Sequence, residues 1–168
     1  MLLLNGRISA NGGAGTTQGA GGGSGGSVWL TAGTLAGTGT ISANGGAGNQ
    51  LGGGGGGGCV SLQYDANIFA GSISACGGSG YAWGGAGTIY TKANSQTSGQ
   101  MVVDNGGHYG TNTPVTYLSL SDLTVRGGAV AYPASPYLLR SNLCITAGGS
   151  CTCLKTQTNL DVTVLRNA

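Results

Sequence analysis

Glutamate is absent from this 168-residue chain, and charged residues of every kind make up only 6% of it. The carboxylate side chains are Asp65, Asp104, Asp122 and Asp161, there is a single histidine, and the formal net charge is +2. So weak a positive field gives no argument for nucleic acid or for an anionic membrane as partner. Long apolar runs are also missing. No segment approaches the roughly 20 continuous apolar residues that a membrane-spanning helix requires. The opening Met1-Leu2-Leu3-Leu4 is too short for the hydrophobic region of a signal peptide, so none is recognisable in this chain. Catalytic signatures are equally scarce: there is no GxSxG elbow, no HExxH and no pair of carboxylates within one motif.

What the chain has in excess is glycine, 38 residues, of which 31 fall in the first 99 positions and 7 in the last 69. Glycine richness alone would indicate disorder, but hydrophobic residues reach 39% and recur in register with a repeat. Ile8 to Gly15 reads ISANGGAG, Ile41 to Gly48 reads the same, and Ile73 to Gly80 reads ISACGGSG, with starts 33 and 32 residues apart. Self-similarity at such a period signals stacked units, none of which buries its apolar face alone.

Within each repeat, short apolar or β-branched runs are bounded by glycine, the pattern of short strands joined by turns. The runs are Arg7 to Ala10, Ser27 to Leu30, Thr34 to Ala36, Thr40 to Ala43, Cys59 to Leu62, Asn67 to Ala70, Ser72 to Ala75 and Thr88 to Thr91. Alternation along a strand puts Val28, Leu30, Val60, Leu62 and Ile89 on one face, with Trp29, Ser61 and Tyr90 on the other. In ISANGGAG the isoleucine and the alanine face inward. Asn11 and Asn44 form a turn ladder that Cys76 interrupts in the third copy. Three glycine tracts, Gly19 to Gly26, Gly52 to Gly58 and Gly77 to Gly87, fall at one repeat position, so they read either as flexible loops or as extended polyglycine segments packed together.

After Gly99 the period shortens. Aligning Met101, Leu123, Leu143 and Leu160 gives spacings of 22, 20 and 17, with inward ladders Met101-Leu123-Leu143-Leu160 and Val103-Val125-Ile145-Val162. Units of about 20 residues are too short for helical crossovers, so strand must follow strand. The expected fold is therefore all-β, a right-handed parallel β-helix (solenoid) of six or seven coils with glycine-rich loop insertions in its N-terminal coils. A two-sheet sandwich is the rival and would require antiparallel hairpins. The chain reads as a single domain over 1-168, with glycine-rich long repeats in 1-99 and short repeats in 100-168. Its uncapped ends suggest a piece of a longer protein, or end-to-end or side-by-side association of copies.

The five cysteines are an odd number, which leaves at least one thiol without an intrachain partner. Cys59 takes the repeat position of Ser27, and Cys76 that of Asn11 and Asn44, as small side chains in ladders rather than as a disulfide framework. Cys144 with Cys151 and Cys153 matches none of the usual zinc spacings.

At ISANGGAG, GGGSGGSVWL and ISACGGSG the chain resembles the glycine-rich β-helix repeats of large exported bacterial surface proteins and adhesins. Met101 to Gly107, Leu123 to Val130 and Asn142 to Gly149 resemble the coils that flank such repeats. The resemblance implies an extracellular or cell-surface setting and a structural or adhesive role, with a glycan or a neighbouring β-helix molecule as partner.

Two sets of residues could carry chemistry. Trp29, Tyr81, Trp83 and Tyr90 offer flat rings suited to sugars or to another molecule, or they cover the bases of the glycine loops. Asp104 and Arg126 point outward one repeat apart, close enough to pair as a surface ion pair. With His108, four residues from Asp104 across a Gly-Gly turn, they could form a catalytic group for a hydrolase, or a polysaccharide lyase, acting on a carbohydrate or a small ester or lactone. Asp104 and Asp122, with turn carbonyls, are candidate calcium ligands, although no cofactor is required.

Overall fold

The computed structural model describes residues 1–115, 121–133, 137–139, 143–151 and 162–164. Strands are the only regular structure among the described residues, where no helix occurs. Each glycine-rich repeat supplies one long and one short strand. The long strands are β3 (Ser27–Gly37) and β5 (Cys59–Phe69), preceded by the two-residue β1 (Leu2–Leu3) and followed by β7 (Thr88–Ala93). The short strands are β2 (Arg7–Ser9), β4 (Thr40–Ser42) and β6 (Ser72–Ser74), which form a three-stranded parallel sheet of their own.

The long strands are longer than the sequence pattern suggests. The runs Ser27–Leu30 and Thr34–Ala36 are one strand, as are Cys59–Leu62 and Asn67–Phe69, because the residues between them keep pairing in register from Thr31 with Gln63 to Thr34 with Ala66. Partners across β3, β5 and β7 are Val28 with Val60 and Ile89, and Leu30 with Leu62 and Thr91. These rows, with Ile41, Ala43 and Ala75 from the facing short-strand side, make a first core in which Ile41, Ala43 and Val60 are fully buried.

Beyond the short strands the glycine tracts leave the sheets and form a layer of hydrogen-bonded polyglycine. Outgoing segments join the next repeat through Gly12 N to Asn44 O and Gly15 N to Ala47 O, then Gly45 N to Cys76 O and Gly48 N to Ser79 O. Returning segments do the same through Gly22 N to Gly53 O and Gly25 N to Gly56 O. Outgoing and returning segments cross-link through Gly23 N to Gly13 O, Gly46 N to Gly23 O, Gly55 N to Gly46 O and Gly78 N to Gly55 O. Every third residue donates in the same direction, as a three-residue-per-turn extended helix without internal hydrogen bonds demands. The spacing leaves no room for side chains on two of every three positions. A methyl on Gly55 would overlap the carbonyl of Gly23 and one on Gly54 that of Gly78, while one on Gly53 would stand 3.8 Å from its nearest neighbour.

The expectation of a right-handed parallel β-helix is corrected at the end of β7. Residues 94–98 turn the chain back, and β8 (Gly99–Asp104) runs antiparallel to β7, pairing Ile89 with Val102, Tyr90 with Met101 and Thr91 with Gln100. A simple β-helix winds all its strands in one direction. Here the sheets are mixed, although mostly parallel, and the seven-stranded sheet runs β1-β3-β5-β7-β8 and on to β10 (Ser121–Arg126) and β13 (Leu143–Ile145). The turn is fixed by Asn94, whose N–H donates to the Tyr64 carbonyl and whose side-chain amide donates to Asp65 Oδ1 at 2.7 Å.

Reversal changes which face of the sheet is buried. Val102 packs on the first core, while Val103 beside it is fully buried in a second core with Leu123, Val125, Ala129 and Ala131. Strand β8 thus serves one core with each face, as alternation allows. The register within this half follows the repeat: Met101 pairs with Leu123 and Leu123 with Leu143, Val103 with Val125 and Val125 with Ile145. The expected fourth rung does not extend these ladders. In the backbone, Val162 of β15 (Val162–Val164) pairs with Tyr137 of β12 (Tyr137–Leu139), and Leu160 lies outside the described residues. The remaining three-stranded sheet comprises β9 (Thr113–Val115), β11 (Val130–Pro133) and β14 (Ser150–Cys151), all parallel.

Candidate functional site

The outward row of the first half is built as alternation requires. Trp29 pairs with Ser61 and Ser61 with Tyr90, so two aromatic side chains flank one small residue on a single face. Two strand spacings separate them, roughly 10 Å. Trp29 stands 72% exposed at the outer end of the row, and the half-buried Tyr90 ring lies over Gly99, where a methyl group would collide with it. The row then runs through Met101 into the wall of the second core, so its inner end is held by packing and its outer end is open. The other two aromatic candidates lie elsewhere, in the polyglycine layer. Tyr81 is 77% exposed at the tip of the third tract, and Trp83 stacks on His108 with ring centroids 3.6 Å apart and planes 6° from parallel.

Asp104 and Arg126 are register partners and form the expected ion pair, Arg126 Nε donating to Asp104 Oδ2 at 2.7 Å. The second carboxylate oxygen accepts from the N–H of Gly106 at 2.9 Å, across the Asn105-Gly106-Gly107 turn. The carboxylate is thereby committed to the guanidinium and the turn. The His108 ring is committed to Trp83, and its backbone carbonyl accepts from Asn105 Nδ2 at 2.7 Å. The three residues share a turn region without forming a histidine–carboxylate hydrogen bond.

Asn105, fully buried between them, was not legible as important from sequence. Its Oδ1 accepts from Gly77 N and its Nδ2 donates to the Gly84 carbonyl, which closes the end of the polyglycine layer. The earlier repeats carry an asparagine ladder in which Asn11 Oδ1 accepts from Asn44 N and Asn44 Oδ1 from Cys76 N, each at 2.8 Å. Cys76 interrupts that ladder, and burial, with the negative charge of Asp104 as a smaller cause, pushes its thiol above the ordinary 9.0. A thiol held protonated is a poor nucleophile and a poor metal ligand.

Asp104 and Asp122 do not converge on one ion. Asp104 pairs with Arg126 at one end of the β8–β10 pair and Asp122 with Gln100 at the other, four residues away. At about 3.3 Å per residue this is roughly 13 Å along the strands. Among the described residues no group of three or more histidine, cysteine or acidic side chains is placed to hold a metal. Cys59, Cys76, Cys144 and Cys151 are free thiols; Cys144 and Cys151 lie in different sheets, and Cys153 lies outside the described residues.

One further feature of this sheet escapes sequence reasoning, because it depends on the antiparallel register. Thr91, Gln100 and Asp122 form a cross-strand row that continues from the buried Leu62. Together with Tyr64, Gln96 and Ser98 they line a half-open cleft of about 360 Å³.

These features define a β-rich scaffold that carries a polyglycine layer and an aromatic row open at its Trp29 end. Comparison with protein-family models, with curated proteins and with solved structures gives no match.

Proposed function

We propose that this chain is a structural and adhesive module of an extracellular or cell-surface protein, and that it binds glycans. The in-register row Trp29–Ser61–Tyr90 carries the reading. An indole and a phenol ring two strands apart, with serine between them, offer the apolar faces of sugar rings two stacking surfaces and a hydrogen-bonding floor. The scaffold suits such a role, since its polyglycine layer is cross-linked by backbone hydrogen bonds and its charge is low. A rigid platform loses little conformational entropy when a ligand docks.

The hydrolase reading gains no support from the geometry. Its carboxylate is held by Arg126 and Gly106, and its histidine is stacked on Trp83. Glycan-array screening of the purified chain is the direct test. Saturable binding to a subset of glycans, weakened at least tenfold in Trp29→Ala and Tyr90→Ala while circular dichroism is unchanged, is the expected result. An array without hits removes the proposal.

A further inference from the structure

The outer edge of the first repeat keeps glycines that nothing in the described chain packs against. A methyl group built on Gly6 or Gly13 meets no atom within 4 Å. Their counterparts in the next two repeats are blocked by backbone. A methyl on Gly39 would overlap the carbonyl of Gly6 and one on Gly71 that of Gly39, while one on Gly46 would overlap the carbonyl of Gly13 and one on Gly78 that of Gly46. Gly23 and Gly26 show the same contrast: their nearest neighbours stand at 3.3 and 3.4 Å, whereas methyls on Gly55 and Gly58 would overlap the carbonyls of Gly23 and Gly26. Glycine is thus required at these four positions only where a further backbone layer lies against them. Elsewhere it weakens a fold, because it loses the most conformational freedom on ordering.

Hydrogen bonding gives the same edge an independent mark. Asn44 N and Gly46 N donate to the preceding repeat, at Asn11 Oδ1 and Gly23 O, but Asn11 N and Gly13 N have no acceptor among the described residues. The carbonyls of Asn44, Ala47 and Gly56 accept from that repeat, and those of Asn11, Ala14 and Ser24 have no donor. Strand β3 meets β1 only at Leu35 and Ala36, which leaves residues 27–34 as an open strand edge. In the order of the large sheet β1 lies five strands from β10, roughly 24 Å away, and the described residues flanking every undescribed stretch belong to the short-repeat half.

The edge fits a second copy of itself. It offers both donors and acceptors, and its two halves run in opposite directions, as Gly26 N to Ala10 O and Gly23 N to Gly13 O show. A two-fold axis along the layer sets the outgoing segment of one copy against the returning segment of the other, and β2 against the partner's β3. Segments of opposite direction already cross-link inside the layer, so the contact repeats a geometry the fold uses. A free glycine-rich peptide would have to order its backbone on docking, whereas the layer of a second copy is ordered beforehand. The far end of the layer is not available to a partner, because Asn105 already takes Gly77 N and the Gly84 carbonyl there. Contact between like edges is isologous and closes at two copies. The edge runs along the first repeat, residues 2–34, and a standard stable interface takes roughly 20–30 residues from each side.

We propose that the edge of the first repeat is a homodimer interface, in which the polyglycine layers of two copies meet backbone to backbone at Gly6, Gly13, Gly23 and Gly26. The contact uses strand and glycine edges, while the glycan reading uses the outward side-chain face that carries Trp29, so the two fail separately. The test is sedimentation velocity and concentration-dependent thermal unfolding of the full chain from micromolar to sub-millimolar concentration. A reversible monomer–dimer equilibrium without larger species is expected, with an unfolding midpoint that rises with concentration. Gly13→Leu should raise the dimer dissociation constant at least tenfold while leaving circular dichroism and the midpoint of the dilute protein unchanged, because its side chain enters open space in the single copy. Gly6→Leu, on another part of the edge, should do the same and serves should Gly13→Leu disturb the fold. Gly53→Leu, at an exposed glycine of the second repeat, is the control and should keep the dimer. A chain that stays monomeric throughout overturns the proposal, as does growth beyond two copies. So does a dimer that neither Gly13→Leu nor Gly6→Leu weakens.

Discussion

Gly55 accepts no side chain: its Cβ would coincide with the carbonyl oxygen of Gly23, backbone that cannot swing aside. Gly53, two residues earlier on the same segment, faces outward with its nearest neighbour 3.8 Å away. Gly55→Ala should therefore lower stability by about 1–3 kcal/mol or more through overpacking. Gly53→Ala should change it by no more than about 0.5 kcal/mol, or raise it slightly by restricting the unfolded chain. Thermal unfolding of the two variants checks this, and equal effects would contradict the packed polyglycine layer. Cys76 gives a second residue-scale expectation. Burial, aided by the Asp104 charge, raises its pKa in the folded protein above 9.0, so the unfolded chain ionises first as pH rises. The stabilisation from the protonated thiol is complete below the unfolded pKa and is lost as pH climbs through the folded one. Denaturant unfolding at pH 7.5 and pH 10 should show a smaller loss for Cys76→Ser than for the parent chain.

At the scale of elements, the glycine tracts act as structure because they are cross-linked in two directions. Each segment bonds the equivalent segment of the next repeat and also the returning or outgoing segment beside it. That accounts for where other residues are tolerated within the tracts: Ala47 and Asn44 share one phase of the three-residue period, while Gly45 with Gly48 and Gly46 fill the two packed phases. The layer ends at Asn105, which supplies by side chain the partners that a further repeat would supply by backbone. The short-repeat half is held differently, by the rows Met101-Leu123-Leu143 and Val103-Val125, the latter ending at an exposed Ile145, and by stacked Gly-Gly turns in which Gly106, Gly107, Gly127 and Gly128 all adopt positive φ. Asp104 and Arg126 decorate those turns. With half of the arginine side chain exposed, the pair contributes no more than about 1 kcal/mol.

For the molecule as a whole, β8 is the shared wall. Val102 closes the first core and Val103 the second, so neither half buries its apolar surface without this strand. Val103→Ala should cost about 1–3 kcal/mol from lost methyl burial and the cavity left behind. Both tryptophans lie in the first 99 residues, but Trp83 stacks on His108, so a Trp83→Phe background that keeps Trp29 alone makes the fluorescence report on the glycine-rich half. The expected outcome is that tryptophan fluorescence and far-ultraviolet circular dichroism shift to the same lower midpoint, as one cooperative unit requires. A fluorescence midpoint unmoved by Val103→Ala would mean that the halves unfold independently.

Repeats and alternation in the sequence suffice to place Val28, Val60 and Ile89 in one row, Met101, Leu123 and Leu143 in another, and Asp104 beside Arg126. These are local consequences of a two-residue strand period and a repeat of fixed length. The same reasoning supplies the aromatic row, since Trp29 and Tyr90 occupy equivalent repeat positions. Strand direction after residue 94 is another matter, because parallel and antiparallel neighbours use the same alternation and differ only in how the intervening turn folds. That turn, held by Asn94 on Asp65 and Tyr64, reverses β8, moves the second core to the other face of the sheet and sets Thr91, Gln100 and Asp122 side by side. Ladders follow from sequence because each repeat carries its own copy of the pattern. The reversal and the cleft follow only from tertiary structure, because they depend on contacts made once, between residues with no counterpart in the other repeats.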